Sequence, residues 1–312
     1  MSRCSTFYFI ESCSVALGSR RLDNYKLSIR VWCGGSFPGV EVLDYLENGD
    51  SSEVIMRILC IGDVVGSIGC DFLHNRLPAL KKYKDIDFVI CNGENSSDGN
   101  GLTPASAKFL FDSGVDAITL GNHTFRRKEV FEYLDSSPFV ARPAKFPAKT
   151  TPGNGIINID TGRRIITVIN IMGNCFMDNN LDCAFECADN MLKQAEGKII
   201  IVDFHAEATG EKRAMGYYLD GRVSAVFGTH THVQTSDAQI LPKGTGYITD
   251  VGMTGTKDSV LGVKPQIIID KLKTKLPQRF DLAVGDCKME CVIFDIDEKS
   301  GKCTDFESLR IE

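Results

Sequence analysis

The sequence of 312 residues lacks three features that would each point to a class of protein. None of its twelve cysteines forms a C-x-x-C pair, so a zinc site built from thiolates lacks its usual spacing. No apolar run approaches the ~20 residues that span a bilayer, so no interaction with a membrane is expected. Basic blocks are also missing and the formal net charge is −6, which argues against binding of duplex nucleic acid.

The cysteines are scattered, and several lie inside apolar runs. Cys60 stands in "RILCIG" and Cys91 in "FVICNG". This placement is typical of buried free thiols and not of a disulfide framework. The pattern predicts a reducing compartment, and therefore a cytoplasmic protein.

The first 55 residues differ from the rest of the chain. They show no hydrophobic period, and their apolar stretch is interrupted by Glu11, which is unlike a secretory signal. From Met56, "MRILCIGDVVG" has the character of a domain start. We therefore expect a poorly ordered N-terminal extension over residues 1–55 and one domain over 56–312, although a functional role for the extension is left open.

Beyond Met56, buried strands alternate with helices, which predicts α/β layers. The stretch "TPASAKFLFDSG" (103–114) predicts a helix with Thr103 as its N-cap, Pro104 in its first turn and Gly114 beyond its end. Near the C-terminus, "KMECVIFDID" and "CTDFESLRI" predict a closing hairpin, so the sheet is not purely parallel. The predicted strands lie at 57–64, 88–95, 116–123, 163–173, 198–207, 223–232 and 246–253.

Polar side chains follow five of these apolar runs within a few residues. Because strand ends meet at one edge of an α/β sheet, where ligands bind, these side chains are expected to converge. Four of the five histidines belong to the group, and His74 lies apart on a predicted helix. The members are Asp63, Glu94, Asn95, Asn122, His123, His205, His230 and His232.

Carboxylate, amide and imidazole groups together suit manganese, iron or zinc. A single ion needs four to six ligands, so eight candidates favour two adjacent ions that share a carboxylate. Two metals ~3.5–4 Å apart are a common device for in-line attack at phosphorus. In "GTHTHVQT", a His-x-His tip would give one imidazole to each ion, although this motif alone is also compatible with a chance turn.

One competing motif is "GDVVGSIG" (62–69), which follows a strand and contains three glycines. It suggests a dinucleotide-binding loop, but its spacing is not G-x-G-x-x-G. Asp63 also stands at the tip, where a carboxylate would repel phosphate unless a metal lies between them. The dinucleotide interpretation is therefore disfavoured.

Six segments together resemble the YmdB-like family of calcineurin-type metallophosphoesterases, known as 2′,3′-cyclic-nucleotide 2′-phosphodiesterases. The resemblance spans residues 56–312 in the family's order and does not cover 1–55. It implies an αββα sandwich, in which two sheets carry helices on both outer faces, and a two-metal centre that usually holds iron or manganese. The segments are "GDVVG", "NGEN", "GNHT", "HAEATGEK", "GTHTHVQT" and "YITDVGMTG".

Carried over residue by residue, the resemblance implies that Glu94 bridges the two metals and that His123 protonates the leaving alkoxide. The metals would lower the pKa of a water molecule, and the resulting hydroxide would attack the phosphorus of a cyclic nucleotide. The first metal would be held by Asp63, Glu94, Asn95 and His232, and the second by Glu94, Asn122, His205 and His230.

The chain departs from the wider superfamily at several positions, all but one of which are features of the YmdB-like branch. Asp63-Val64-Val65 replaces Asp-x-His, Glu94 replaces a bridging aspartate, and Thr124 stands where a carboxylate would orient His123. Within the branch, Gly210 of "HAEATGEK" stands where serine is expected.

Three functions are open at this point: the cyclic-nucleotide phosphodiesterase, a phosphatase or nuclease of the same fold, and a regulatory metalloprotein with incidental catalysis. Lys212 and Arg213 are interpreted either as phosphate contacts or as a solvated pair. Formation of a homo-oligomer is left open.

Overall fold

The computed structural model describes residues 54–177 and 181–312, together with the backbone of two strands nearer the N-terminus. These strands, β1 (Ser28–Trp32) and β2 (Gly39–Leu43), pair antiparallel and belong to a separate unit, Met1–Ser52. The second unit is Glu53–Glu312. The predicted lack of order in residues 1–55 falls mostly outside the described residues and stays a prediction.

The second unit contains two sheets and six helices within the described residues. Its strands are β3 (Ile55–Ile61), β4 (Asp63–Val64), β5 (Phe88–Asn92), β6 (Ala117–Thr119), β7 (Val140–Ala141), β8 (Ile156–Asp160), β9 (Ile165–Met172), β10 (Ile199–His205), β11 (Ala225–Thr229), β12 (Gln239–Ile240), β13 (Gly246–Ile248), β14 (Met253–Thr256), β15 (Cys287–Asp297) and β16 (Cys303–Ile311). Its helices are α1 (Gly66–Tyr83), α2 (Pro104–Asp112), α3 (Val130–Ser136), α4 (Ala184–Leu192), α5 (Thr209–Leu219) and α6 (Pro265–Thr274).

Both sheets are mixed, and the sequence had predicted this for the sheet that contains the closing hairpin. The first has the order β4-β14-β15-β3-β5-β6-β7, with β16 paired to β15 in the predicted closing hairpin. Its strands β3, β5, β6 and β7 run parallel. The second has the order β12-β13-β11-β10-β9-β8, in which the four central strands are parallel and the two outer strands antiparallel.

The strand pattern explains how the layers stack. Along β3, Ile58 and Cys60 face one cluster while Leu59 and Ile61 face another, because side chains alternate between the faces of a strand. The first cluster fills the space between the sheets, where Ile58 packs with Phe227 of β11. The cluster of Leu59 and Ile61 lies between the first sheet and helices α1 and α2. A third cluster lies between the second sheet and helices α4 and α5. The predicted αββα sandwich is thus confirmed.

Helix α2 shows the predicted local signals. Thr103 accepts a hydrogen bond from the Ser106 backbone N–H at its side-chain oxygen, Pro104 begins the helix, and Gly114 follows it with a φ of +103°. The short segment that follows α2 then leads directly into β6, which ends at the candidate site. Among the described residues, no helix is both long and apolar enough to cross a bilayer.

Removal of residues 1–53 is expected to leave the thermal unfolding midpoint of the remaining chain unchanged. Within the second unit, the first backbone contacts that the structure describes come after residue 53. They are the hydrogen bond from Glu298 N–H to the Val54 carbonyl and the strand pair of Ile55 with Asp297. Differential scanning calorimetry of the shortened and full chains tests this expectation.

A chain that begins at Ile58 is the control. It also loses three residues of β3 and the buried Met56 side chain, so unfolding should become easier by about 2–5 kcal/mol. Equal destabilisation of both shortened chains would contradict the proposed boundary.

Candidate metal centre

All eight predicted side chains lie close together, and they come from strand ends of both sheets. Asp63 begins β4 just after β3, and the pairs Glu94-Asn95 and Asn122-His123 follow β5 and β6 of the first sheet. His205 ends β10, and His230 and His232 follow β11 of the second sheet. The carboxyl ends of the parallel strands in the two sheets therefore open to a common edge, whereas the strand pattern alone had suggested the edge of one sheet.

One half of the site is centred on His205. Its Nε2 lies 2.9 Å from Asn122 Oδ1, 3.2 Å from Glu94 Oε1 and 3.1 Å from His230 Nδ1. Glu94, His205 and His230 offer ligand atoms that all lie within 4.8 Å of one another. These four side chains are those expected to hold the second metal.

The other half is centred on Asp63. His232 Nε2 lies 3.5 Å from Asp63 Oδ1, and the His230 backbone N–H donates to Asp63 Oδ2 at 3.1 Å. Asn95 Nδ2 lies 3.4 Å from Asp63 Oδ1, 3.2 Å from His232 Nε2 and 3.5 Å from Glu94 Oε1. Glu94 Oε1 thus stands between the two halves, where a shared ligand is required.

Asn95 is turned with its amide nitrogen toward Asp63 and His232. Its Oδ1 lies 2.7 Å from His123 Nδ1. To serve as a metal ligand together with Asp63 and His232, the Asn95 amide must turn over so that its oxygen faces them.

A buried hydrogen-bond chain determines which nitrogen of His205 faces the site. The Thr229 hydroxyl donates to Asp203 Oδ1 at 2.7 Å, so it must accept at its other side from His205 Nδ1, 2.9 Å away. Asp203 also accepts from Asn92 and Thr119, and all of these side chains are buried. With one proton fixed on Nδ1, His205 Nε2 faces three other acceptors, and either a second proton on Nε2 or a metal ion between these atoms is needed to satisfy them.

This arrangement of acceptors fits a cation. Burial acts to lower the pKa of His205, but the adjacent Glu94 carboxylate, together with Asp63 and Asp203, outweighs it and raises the pKa to about 9. Burial likewise acts to raise the pKa values of Asp63 and Glu94, and their neighbours together outweigh it and lower them, chiefly His232 with His205 for Asp63 and His205 with His123 for Glu94. Positive charge is therefore required between the carboxylates, and a divalent metal with oxygen and imidazole ligands supplies it.

Space for such an ion depends on Gly121. A Cβ atom at this position would lie 2.2 Å from His205 Nε2 and 2.4 Å from Glu94 Oε2. Any side chain would therefore collide with the His205 ring and the Glu94 carboxylate and displace both from the ligand set. The glycine of the "GNHT" segment is required by this close approach.

The His-x-His tip has an uncommon backbone. His230 and His232 have φ values of +99° and +60°, and each such non-glycine residue costs about 1–3 kcal/mol. In this conformation His230 presents Nδ1 to one half of the site and His232 presents Nε2 to the other. Their outer nitrogens lie 3.2 Å from Glu207 Oε2 and 3.2 Å from the Leu261 carbonyl, respectively.

His123 lies beside the two halves and is not enclosed by them. Its side chain is 29% exposed, and its backbone N–H donates to Glu94 Oε2 at 2.9 Å. Burial lowers its pKa more than the Glu94 carboxylate raises it, so the free imidazole is mainly neutral at pH 7. Thr124 donates to the Gly121 carbonyl at 2.6 Å and closes the turn instead of orienting the ring.

Two interpretations from the sequence are corrected here. Lys212 is buried and lies 2.6 Å from Asp250 Oδ2, so it is neither solvated nor aimed at a phosphate. Arg213 pairs with Asp237 and covers the rings of Tyr217 and Tyr247. Residue spacing around "HAEATGEK" does not reveal Asp250, Asp237 or Tyr247 as partners, because these three lie outside α5 and far along the chain, whereas Tyr217 stands on α5 itself.

The glycines near residue 62 serve packing and not phosphate binding. A Cβ atom at Gly62 would lie 2.1 Å from the Gly252 carbonyl oxygen, and one at Gly69 would lie 2.5 Å from the Thr254 carbonyl oxygen. At Gly210, by contrast, a Cβ atom would meet nothing within 4 Å, so packing does not require this glycine. The nine cysteines whose side chains the structure describes are free thiols.

Substitution of Thr229 by valine is expected to weaken Mn²⁺ binding about 10–100-fold, because His205 Nδ1 loses its acceptor and the ring its fixed orientation. Calorimetric titration of metal-free protein measures this affinity. Thr167→Val is the control. Thr167 is equally buried and hydrogen-bonded, but it lies near the start of β9, at the end of the strand that is away from the metal centre. Equal Mn²⁺ affinity in both variants would contradict a role for the Asp203–Thr229–His205 chain.

Similar proteins of known sequence or structure cover most of the chain. A protein of Bacillus subtilis (strain 168) named 2′,3′-cyclic-nucleotide 2′-phosphodiesterase is 50% identical over 259 residues, which cover 82% of this chain and 97% of that protein. A crystal structure of a hypothetical protein from Thermus thermophilus shares 40% identity with a TM-score of 0.77, over 82% of this chain and 99% of that one. A structure described as a novel phosphatase from Mycoplasma pneumoniae shares 32% identity with a TM-score of 0.78, over 82% and 93% of the two chains.

The region of similarity coincides with the second unit and includes every side chain of the candidate centre. The model of the YmdB-like protein family matches residues 59–309, from within β3 to within β16. The chain therefore belongs to the YmdB-like protein family.

Proposed function

We propose that the protein is a dinuclear-metal phosphodiesterase that hydrolyses 2′,3′-cyclic nucleotides. The observation that carries this proposal is the position of Glu94, whose Oε1 lies 3.2 Å from His205 Nε2 on one side and 3.5 Å from Asn95 Nδ2 on the other. A carboxylate between two sets of ligands is what two metals need in order to share it. The name of the B. subtilis relative supports the same class of substrate.

Iron or manganese suits the donor set, because two carboxylates, two amides and three imidazoles are a mixture that such ions accept. When bound, two divalent cations lower the pKa of water and withdraw charge from the phosphoryl oxygens. Asp63, Glu94, Asn95 and His232 would hold one ion, and Glu94, Asn122, His205 and His230 the other. The cysteine pattern makes the cytoplasm the expected location.

His123 is the proposed general acid. It lies beside the centre, and its Nε2 makes no hydrogen bond to the described residues, so a proton held there can reach a departing ribose oxygen. Its neutral state in the free protein changes when a phosphate approaches, since negative charge nearby favours the imidazolium. When the Asn95 amide turns toward the metal ligands, its N–H group replaces its oxygen beside His123 Nδ1 and donates there, which leaves the proton of the neutral ring on Nε2.

A second candidate is phosphatase activity at the same site, because the M. pneumoniae relative is described as a phosphatase. Phosphatase action requires only that the substrate be a phosphomonoester. A panel of 2′,3′-cyclic nucleotides, linear diesters and monoesters separates the two functions by relative kcat/KM. A protein that binds metal but turns over none of them would instead favour a regulatory role.

Two metal ions per chain are expected on elemental analysis of protein purified anaerobically, with iron or manganese predominant. Asp63→Asn should lose metal and activity together, because it removes a charged ligand from a site that must neutralise two dications. One tightly bound zinc ion and no other metal would contradict the dinuclear centre.

His123→Ala should retain both metals, because the imidazole is assigned to the leaving group. Its kcat on a 2′,3′-cyclic nucleotide should fall about 10²–10⁴-fold, which is the usual contribution of general acid catalysis. Its kcat on a nitrophenyl ester should fall much less, since nitrophenolate departs without a proton. Loss of a metal, or an equal fall on both substrates, would show that His123 is a ligand or a phosphate contact instead.

A further inference from the structure

A buried ion pair lies directly behind the His-x-His tip. Lys212 of α5 and Asp250, which follows β13, are 2% and 0% exposed, and Lys212 Nζ lies 2.6 Å from Asp250 Oδ2. The Lys212 stem passes over β11 at Gly228, where a Cβ atom would lie 3.2 Å from Lys212 Cδ and 1.8 Å from the Thr249 carbonyl oxygen. The glycine two residues before His230 thus allows both partners to reach the tip.

Asp250 connects the Lys212–Asp250 ion pair to the His-x-His tip through one residue of the tip, Thr231. Its Oδ2 accepts from the Thr231 backbone N–H at 3.1 Å and from the Thr231 hydroxyl at 2.7 Å, and its Oδ1 accepts from the Gly252 N–H at 2.9 Å. Thr231 is the residue between His230 and His232. The peptide unit that joins the two imidazoles is therefore held from outside the site.

The two histidines need such a restraint, because both have positive φ values that non-glycine residues rarely adopt. Without a fixed Thr231, the tip would relax toward commoner backbone angles and turn the two imidazoles away from the site. The ion pair also carries no net charge, so the Asp250 carboxylate can hold three donors at Oδ2 without adding a further negative charge beside Asp63 and Glu94.

We propose that Lys212, Asp250 and Thr231 form a positioning device that holds His230 and His232 in their metal-binding orientation. The inference rests on the proposed function in so far as these histidines bind metal. It assigns a role to Lys212 of "HAEATGEK" and to Asp250 of "YITDVGMTG", two residues that contact no reacting group. Lys212 and Asp250 are positioning residues and not substrate contacts.

Thr231→Val is the sharpest test, because it preserves the shape of the side chain, the backbone hydrogen bond and the ion pair, and removes only the hydroxyl donor. We expect Mn²⁺ affinity of the full metal-free chain, measured by titration calorimetry, to fall about tenfold or more, as is usual for residues that orient metal ligands. Thr231→Ser keeps the hydroxyl and should restore the affinity. Thr231→Ala removes the same hydroxyl from a smaller side chain and gives a second measurement should the valine variant fail to fold.

The matched control is Glu298→Gln. Glu298 is also a buried carboxylate that pairs with basic side chains, Arg163 and Arg164, but it follows β15 near the start of β3, remote from the site. This variant should lower the unfolding midpoint and leave Mn²⁺ affinity unchanged. Wild-type affinity in Thr231→Val and Thr231→Ala would overturn the positioning device while leaving the proposed function intact. A wild-type chain that binds no Mn²⁺ would overturn the proposed function and this inference together.

Discussion

Two buried carboxylates that must be neutralised are the constraint on which the rest of the site depends. Asp63 and Glu94 are almost fully removed from water, and burial of an unpaired charge is prohibitively unfavourable. Three imidazoles surround them, and positive charge has to be supplied either by protons on those rings or by metal ions. The fixed proton on His205 Nδ1 and the absence of a side chain at Gly121 are both explained by this need, because the first turns Nε2 toward the carboxylates and the second leaves room for the His205 ring beside Glu94.

The same constraint explains why the site lies where two sheets meet. A single sheet edge presents its ligands in a row, whereas two facing edges can enclose a small volume from both sides. The Asp203 side chain on β10 accepts hydrogen bonds from Asn92 of β5 and Thr119 of β6, so it joins the second sheet to the first beneath the metal centre. Packing of the sandwich and geometry of the site are therefore parts of one structure, and a shift between the sheets would separate the two halves of the ligand set.

Much of this arrangement is predictable from the sequence. The strand tips that carry Glu94, Asn122 and His205 follow apolar runs, and local signals such as Thr103 and Pro104 mark the helix between two of these strands. The hydrophobic period of a strand shows which of its residues are buried, but it does not show which strands it pairs with. The sequence pattern therefore could not assign the strands to two different sheets. The pairing of Lys212 with Asp250 could not be predicted either. Nothing in the sequence around a lysine shows whether it is buried or exposed, and Asp250 comes close to Lys212 only in the folded chain.

Gly121 has a consequence for how the family's active site can change over time. A methyl group there would lie 2.2 Å from Nε2 and 2.4 Å from Cδ2 of His205 and 2.4 Å from Glu94 Oε2, so both ligands would have to move, while no side chain of the hydrophobic core is among these neighbours. A substitution at this position would thus displace His205 and Glu94 from their places in the ligand set before it touched the hydrophobic core. The position at which a side chain is most damaging to the chemistry is therefore not one that the hydrophobic core depends on.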